Sequence, residues 1–411
     1  MSSTILLTPR PYAQYAGSFM LVALLPPPKQ LPELPSELWS EILRYVGDLR
    51  ASTRVCRTFK ELAYPLVYAR IKLSQPTSFA KFVQRLEIAE QHWSPIHRFP
   101  YSSPGRWCQS LDLSGMEFVG QAQALELDSH LVMVFPLVPF LARLSMNPAF
   151  VLSRRVMESL GRSIAAVSLR ALEGISYTPS GSRYPEEPLV KLLRCCVNLE
   201  EVEVIGPGEL AELPEATLPE PFTPLHLPRL RTLTILSDYA SSLLLALIHS
   251  PLPALEKLTI TPYDDVPNSL STHFIETHGA PLRSLLLFTP KSWPTRLHAS
   301  PHSLLRSSPA ITHLSLERPL PNPLDLPLGH PLQILSVPRP DAEFYGFLDR
   351  FLLPRLPNLR AVRARDVRWL RKGMGVSAQS TGVQGDMMEW RRRLLRKGIR
   401  MLDVEWKEYE A

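Results

Sequence analysis

The chain has 411 residues, with 45 Lys and Arg against 39 Asp and Glu, a formal net charge of +6 and 45% hydrophobic residues. That length exceeds the usual ceiling for one compact core, so a small module beside a larger one is expected. The four cysteines (Cys56, Cys108, Cys195, Cys196) form no CxxC pair, which argues against a disulfide framework or a zinc cluster and fits a reducing compartment, cytoplasmic or nuclear. Proline is the outlier: 42 residues, roughly twice ordinary usage.

Taken in chain order, residues 1–30 read as a flexible leader. Within it "SFMLVALLPPP" is too short an apolar run to cross a bilayer. It has Arg10 as a basic flank but no clean small-residue cleavage site, so a secretory signal is the weaker reading.

Residues 31–73 carry a compact helical pattern. Leu38, Trp39, Ile42, Leu43 and Val46 share one broad apolar face, with Pro35 tolerated in the first turn and Glu37 and Glu41 toward the end that favours negative charge. Gly47 is expected to end this helix. After Asp48 a second helix should carry Val55, Cys56, Phe59, Leu62 and Ala63 on one face, with Pro65 punctuating it and Leu66, Val67 and Tyr68 opening a third apolar patch. A unit of about 40 residues rarely stabilises itself without help.

The two blocks "LPSELWSEIL" (Leu34 to Leu43) and "VCRTFKELAYPLVY" (Val55 to Tyr68) resemble an F-box, as it stands in fungal F-box proteins. The link "GDLRASTR" is shorter than the family's and has Ala51, Ser52 and Thr53 in place of bulkier residues. The resemblance implies docking to the Skp-type adaptor of an SCF ubiquitin ligase. By family analogy Leu34, Pro35, Leu38, Trp39, Ile42 and Leu43 would press into that adaptor, with Val55, Cys56 and Phe59 of the second block beside them. The alternative is an ordinary helical hairpin.

A connecting segment, 74–105, leads to a region, 106–411, built on one recurring pattern: an apolar residue, another three later, another two after that. Copies begin at Leu199, Leu230, Leu255, Leu282, Ile311, Leu332 and Leu359, with weaker ones at Cys108, Leu141, Ile164 and Ile399. The intervals run 33, 23, 35, 31, 25, 27, 29, 21, 27 and 40 residues, in or near the range of leucine-rich repeats, whose shared core is LxxLxL. The last residues of each copy alternate as a short strand would. Segments 239–250, 269–279 and 341–352 suit returning helices. Pro228, Pro253, Pro281, Pro309, Pro331 and Pro357 each stand one or two residues before a copy, where proline stops the preceding helix and costs the ladder no bond. The asparagine or cysteine usual after the LxL is missing: Asp238 follows Ile235 and Tyr263 follows Ile260. The expected fold class is therefore α/β, a small N-terminal three-helix F-box-like module followed by an irregular leucine-rich-repeat-like solenoid. A plain α/β globular domain is the alternative.

Stacked strands would line an open face with Thr234, Thr259, Ser315 and Ser336, alternating with Arg231, Lys257, Ser284 and His313. His298 and His302 are four apart but interrupted by Pro301, and His273 and His278 are five apart, so a metal site is not indicated. "GMGVSA" from Gly373 matches GxGxxA in letters but lacks the strand and helix that motif needs. From Arg360 to Arg400 twelve Arg and Lys face three acids. The basic patch comprises Arg368, Arg371, Lys372, Arg391, Arg392, Arg393, Arg396 and Lys397, with Trp369 and Trp390 alongside. It reads first as a solvated outer face, and secondarily as an import signal or a nucleic-acid footprint.

The reading is thus a non-catalytic substrate-recognition subunit with no cofactor, metal or membrane contact, whose partners are the Skp-type adaptor and an unknown target protein. A scaffold without ligase function, and less so a nucleic-acid-binding protein, are the alternatives.

Overall fold

The computed structural model describes residues 34–93, 103–179, 186–208, 216, 218–290, 297–319, 324–369 and 382–409. It also describes a two-stranded antiparallel pair, β1 (Arg10–Pro11) and β2 (Phe19–Met20). The rest of the expected leader lies outside the described residues. The chain divides into two compact units, Met1–Val67 and Tyr68–Ala411.

In the first unit, α1 (Ser36–Arg44) begins after Pro35 and carries Glu37 in its first turn. It ends three residues before Gly47, because the Tyr45 and Val46 N–H groups bond back to the Ile42 and Leu43 carbonyls and close the turn. The four-residue α2 (Leu49–Ser52) is capped by Asp48, whose Oδ1 accepts from Ala51 N–H at 3.0 Å. The second long helix, α3 (Arg57–Ala69), starts later than the sequence pattern suggests. Val55 and Cys56 precede it, and the Cys56 thiol sulfur accepts from Phe59 N–H at 3.4 Å. Pro65 sits inside α3 and does not punctuate it. Proline there forfeits one backbone bond, and the helix runs on through Leu66, Val67 and Tyr68.

In the second unit a 13-stranded sheet is built almost entirely in chain order. Its strands are β3 (Arg70–Lys72), β4 (Ser110–Leu113), β5 (Arg143–Met146), β6 (Val151–Leu152) and β7 (Ala171–Tyr177). They continue through β8 (Glu201–Ile205), β9 (Thr232–Leu236), β10 (Lys257–Ile260), β11 (Ser284–Leu287) and β12 (His313–Ser315) to β13 (Ile334–Val337), β14 (Ala361–Ala364) and β15 (Arg400–Leu402). Every neighbouring pair is parallel, and β6 is a short addition beside β7. Helices alternate with the strands: α4 (Pro76–His92), α5 (Pro104–Trp107), α6 (Gly120–Leu137), α7 (Arg154–Arg162), α8 (Ala165–Ser168) and α9 (Pro188–Cys195). After them come α10 (Ser242–Ile248), α11 (Ser271–His278), α12 (Leu304–Ser307), α13 (Ala342–Phe347, extended by a π-helical turn) and α14 (Gly382–Leu395). Helices α4, α6, α7, α9, α10, α11 and α12 pack side by side in that order. The three segments expected to return as helices do so as α10, α11 and α13.

The LxL pairs explain the stacking. Leu233 and Ile235, Leu258 and Ile260, Leu285 and Leu287, and Leu335 and Val337 are all buried in one continuous core. A single strand-helix unit could not cover these side chains, so each depends on its neighbours. The start of each strand is tied in a repeating way. The Glu200 carbonyl accepts from both Arg231 and Thr232 N–H, Arg231 from Glu256 and Lys257, Glu256 from Arg283 and Ser284, and Arg283 from Thr312 and His313, all at 2.8–3.1 Å.

The prolines have a sharper role than stopping helices. Five of these helix-to-strand connections contain a β-turn in which the copy's first apolar residue donates to the carbonyl three residues earlier. Leu230 donates to Leu227, Leu255 to Leu252, Leu282 to Gly279, Ile311 to Ser308 and Leu359 to Leu356, at 3.1–3.3 Å. Pro228, Pro253, Pro309 and Pro357 hold the second position of these turns, where a fixed φ near −65° is already the required one.

Three copies were misplaced by the pattern. Ile164 does not open a strand, because its segment forms α8. The true copy begins at Leu169, and the flanking intervals become 28 and 30 residues. A bulge between Leu172 and Ile175 adds one residue to the LxL spacing and hides it from a strict search. The last copy is one residue early, since Met401 pairs with Val362. A further copy, Tyr68–Ile71–Leu73, was missed inside the segment assigned to the helical module; its strand β3 pairs with β4.

Candidate functional site

Two open surfaces carry the candidate functional residues. On α1, Leu38 and Ile42 are four apart, share one helical face and stay exposed, at 50% and 45%. Leu34 just before the helix and Val46 just after it are also exposed. Pro35, Val55 and Cys56 are exposed as well. Trp39 and Phe59 are half-buried and pack together, ring centroids 4.8 Å apart. Leu43 is the exception among the expected adaptor residues. It is only 2% exposed, because it lies about 100° round the helix from Ile42, at the edge of the apolar face that turns inward.

The described part of the basic C-terminal segment is partly paired. Arg392 and Arg393 both reach Glu389, at 3.1 and 2.6 Å, Lys397 pairs with Asp349, and Arg368 reaches Glu405 at 2.5 Å. Arg391 stands over the Tyr409 ring, 5.3 Å from its centroid, and Arg396 is exposed. Arg371, Lys372 and the "GMGVSA" stretch lie outside the described residues. Trp369 and Trp390 are buried in the core and offer no face for a base to stack on.

The outward face of the sheet is the second surface. Strand register sets Glu201, Thr232, Lys257, Ser284, His313, Ile334, Ala361 and Arg400 in one row. A second row holds Glu203, Thr234, Thr259, Leu286, Ser315, Ser336, Arg363 and Leu402. Thr232, and not the expected Arg231, shares a row with Lys257, since Arg231 precedes its strand. Arg363 was missed because arginine in "LRAVRA" looked like part of a basic run; its alternation within the copy was the available signal.

Charge on this face is segregated. On β7 and β8, Glu173, Glu201 and Glu203 lie near one another, with Arg143 bonded to Glu173 and 3.2 Å from Glu201. Burial, and then the Glu173 charge, hold Glu203 above the usual carboxylate range against a bond from the Gly174 backbone. Toward β12–β15 the sign reverses. His313 Nε2 lies 2.9 Å from Ser336 Oγ, and its Nδ1 3.3 Å from Ser284 Oγ. Burial, followed by the positive charges of Arg363 and Lys257, pushes the His313 imidazole down to about 4. The Arg363 guanidinium stacks 4.1 Å from the Trp406 ring and donates to the Asp403 and Val404 carbonyls.

Behind this face lies a buried polar cluster that the sequence pattern did not reveal. Ser241 caps α10 and donates to Asp238 Oδ2 at 2.6 Å, and burial pushes the Asp238 carboxyl up to about 6. Thr261 Oγ1 accepts from Ser237 N–H and donates to the Phe288 carbonyl, stitching β9 to β11. Asn147, directly after β5, likewise donates to the Met116 carbonyl at 2.8 Å. His298 is buried against Tyr263 with Asp265 at 3.0 Å. Among the described residues no three His, Cys, Asp or Glu side chains gather to hold a metal, and no helix is long and apolar enough to cross a membrane.

No protein-family model matches the sequence, and no curated protein is significantly similar to it. Among solved structures, a crystal structure of a Bacteroides fragilis protein aligns with a TM-score of 0.33 and 12% identity, over 79% of this chain and 73% of that one. A likeness of that size bears on neither fold nor function.

Proposed function

We propose that the chain is a non-catalytic substrate-recognition subunit of an SCF-type ubiquitin ligase. In this reading the helical unit is an F-box-like module and the sheet unit a leucine-rich-repeat-like solenoid that holds a target protein. The observation that carries it is the set of exposed apolar side chains on and beside α1: Leu34, Leu38, Ile42 and Val46. Removing such side chains from water on docking is favourable. The F-box resemblance supplies the partner, the Skp-type adaptor, and the open face of the sheet supplies room for a target.

The test is binding of the purified full chain to the adaptor, beside a Leu38→Asp, Ile42→Asp double variant. Both residues are half-exposed, so the variant should keep its circular dichroism while losing at least a hundredfold in affinity. Failure of the unmutated, folded chain to bind would sink the ligase reading and leave a protein-interaction scaffold. The nucleic-acid alternative is weakened by the ion pairs of Arg392, Arg393 and Lys397 and by the buried tryptophans.

A further inference from the structure

We propose that the outward face of β10–β14 binds an acidic peptide segment of the target, with Lys257 and Arg363 as its anion contacts and Trp406, packed on His313 and Arg363, as an apolar platform between them. The proposal rests on reading the sheet unit as the target-binding part, and it names the chemistry of what is bound.

Three observations carry it. First, this stretch holds two cations that make no ion pair among the described residues, although the Asp403 and Asp366 charges act on Arg363. Among the described residues Lys257 makes no ion pair, and Arg363 donates only to two backbone carbonyls, leaving Nη1 without an acceptor. The acids nearby are otherwise engaged. Glu317 and Asp366 are held by Arg365 at 2.8 and 3.5 Å, and the Asp403 carboxylate accepts from the Trp369, Glu405 and Lys407 N–H groups. Second, His313 lies between Lys257 and Arg363, and both act on it as positive charges.

Third, the dimensions suit a peptide. Lys257 and Arg363 sit four strands apart, about 19 Å at ~4.8 Å per strand. An extended chain covers that in about six residues at ~3.3 Å each. Between the two cations the surface offers the half-buried Thr259 and Ser284 side chains, and Trp406, 46% exposed, stands over both His313 and Arg363 as an apolar platform. The acidic zone of Glu173, Glu201 and Glu203 lies on the other side of β9 and would repel an acidic chain that overshot, which fixes where it lies. A polynucleotide fits less well, because that same acidic zone interrupts any long cationic track.

The experiment measures fluorescence anisotropy of dye-labelled, end-capped decapeptides with the full-length chain. One probe carries Glu at alternate positions, one phosphoserine at the same positions and one Gln; an oligothymidylate of equal charge is the fourth. The proteins are the unmutated chain, Lys257→Gln, Arg363→Gln and, as a control on the basic C-terminal segment, Arg396→Gln. The expected result is binding of the Glu or phosphoserine probe at least tenfold tighter than the Gln probe, reduced at least fivefold by Lys257→Gln and by Arg363→Gln and unmoved by Arg396→Gln. Which probe binds better tells carboxylate from phosphate. Because Arg363 also braces the C-terminal loop, Lys257→Gln is the decisive variant: among the described residues the exposed Lys257 side chain makes no ion pair. Equal binding of the Gln probe, indifference to Lys257→Gln, or tighter binding of the oligothymidylate by the same residues would each overturn the proposal. Adaptor binding is assayed on the same variants. Loss of adaptor binding by the unmutated chain with peptide binding intact removes the ligase reading alone, and the reverse removes the peptide site alone.

Discussion

Gly174 is the position where backbone geometry is most tightly constrained, and replacing it by alanine tests the account of the sheet. It occupies the bulge between Leu172 and Ile175 with φ at +65°, and an added Cβ would lie 2.3 Å from the Met146 carbonyl oxygen. The left-handed conformation alone costs an L-residue about 1–2 kcal/mol. The contact is with backbone of β5, not with a side chain that could rotate away, so β5 and β7 must part locally. Together the loss should be about 3 kcal/mol or more, a large share of the ~5–15 kcal/mol that holds an ordinary domain together. Gly346→Ala is the matched control: it lies within α13, a Cβ there meets nothing within 4 Å, and alanine should stabilise by up to ~1 kcal/mol through helix propensity. Urea unfolding followed by circular dichroism and tryptophan fluorescence reads both. A Gly174→Ala chain within about 0.5 kcal/mol of the unmutated one would refute the bulge and the register drawn around it, since that is the scatter of an ordinary surface change.

Two further outcomes follow from the buried polar groups. Thr261→Val keeps the shape but strands the Ser237 N–H and the Phe288 carbonyl; at ~1–3 kcal/mol per orphaned group the variant should lose about 2–4 kcal/mol in the same urea assay, whereas Thr261→Ser should recover most of it. Asp238 gives a pH signature. Its folded-state value is raised to about 6 by burial, so the native state prefers the protonated form, and that stabilisation is full below the ordinary carboxylate value and lost as pH rises through 6. Relative to Asp238→Asn, the unmutated chain should therefore lose on the order of 3 kcal/mol between pH 4 and pH 7; stability curves that run parallel over that window would show that Asp238 is not buried as described.

What was legible in the sequence was the period, because burial imposes it. Leu233, Ile235 and their counterparts must be apolar for the stack to close, so the repeat and the parallel α/β architecture could be read from spacing alone. The failures share a cause. Leu169 was passed over because a one-residue bulge breaks the spacing without breaking the pairing, and Met401 because Ile399 and Leu402 offered an equally apolar frame one residue away. Pro65 misled for a related reason: its local preference says stop, yet one missing hydrogen bond is outweighed when the helix beyond it has apolar residues to pack. Leu43 shows the limit at the candidate site. Periodicity places it on a broad apolar face with Leu38 and Ile42, but only the packing of the unit decides which edge of that face turns inward.

Charge was least legible where it matters most. The sequence concentrates cations between Arg360 and Arg400, and a window count makes that segment look like the active one. Folding answers those charges locally, through Glu389 four residues from Arg393 and through Asp349 brought beside Lys397. The cations without an ion pair, Lys257 and Arg363, stand far apart in the chain, one of them hidden inside that basic segment. They share one face only because the copies stack in register, which puts every second side chain of each strand on that face. In a repeat protein, therefore, net charge along the chain is a poor guide to a binding surface. The useful quantity is charge counted down the rows of the sheet, after removing every pair that the fold itself has closed.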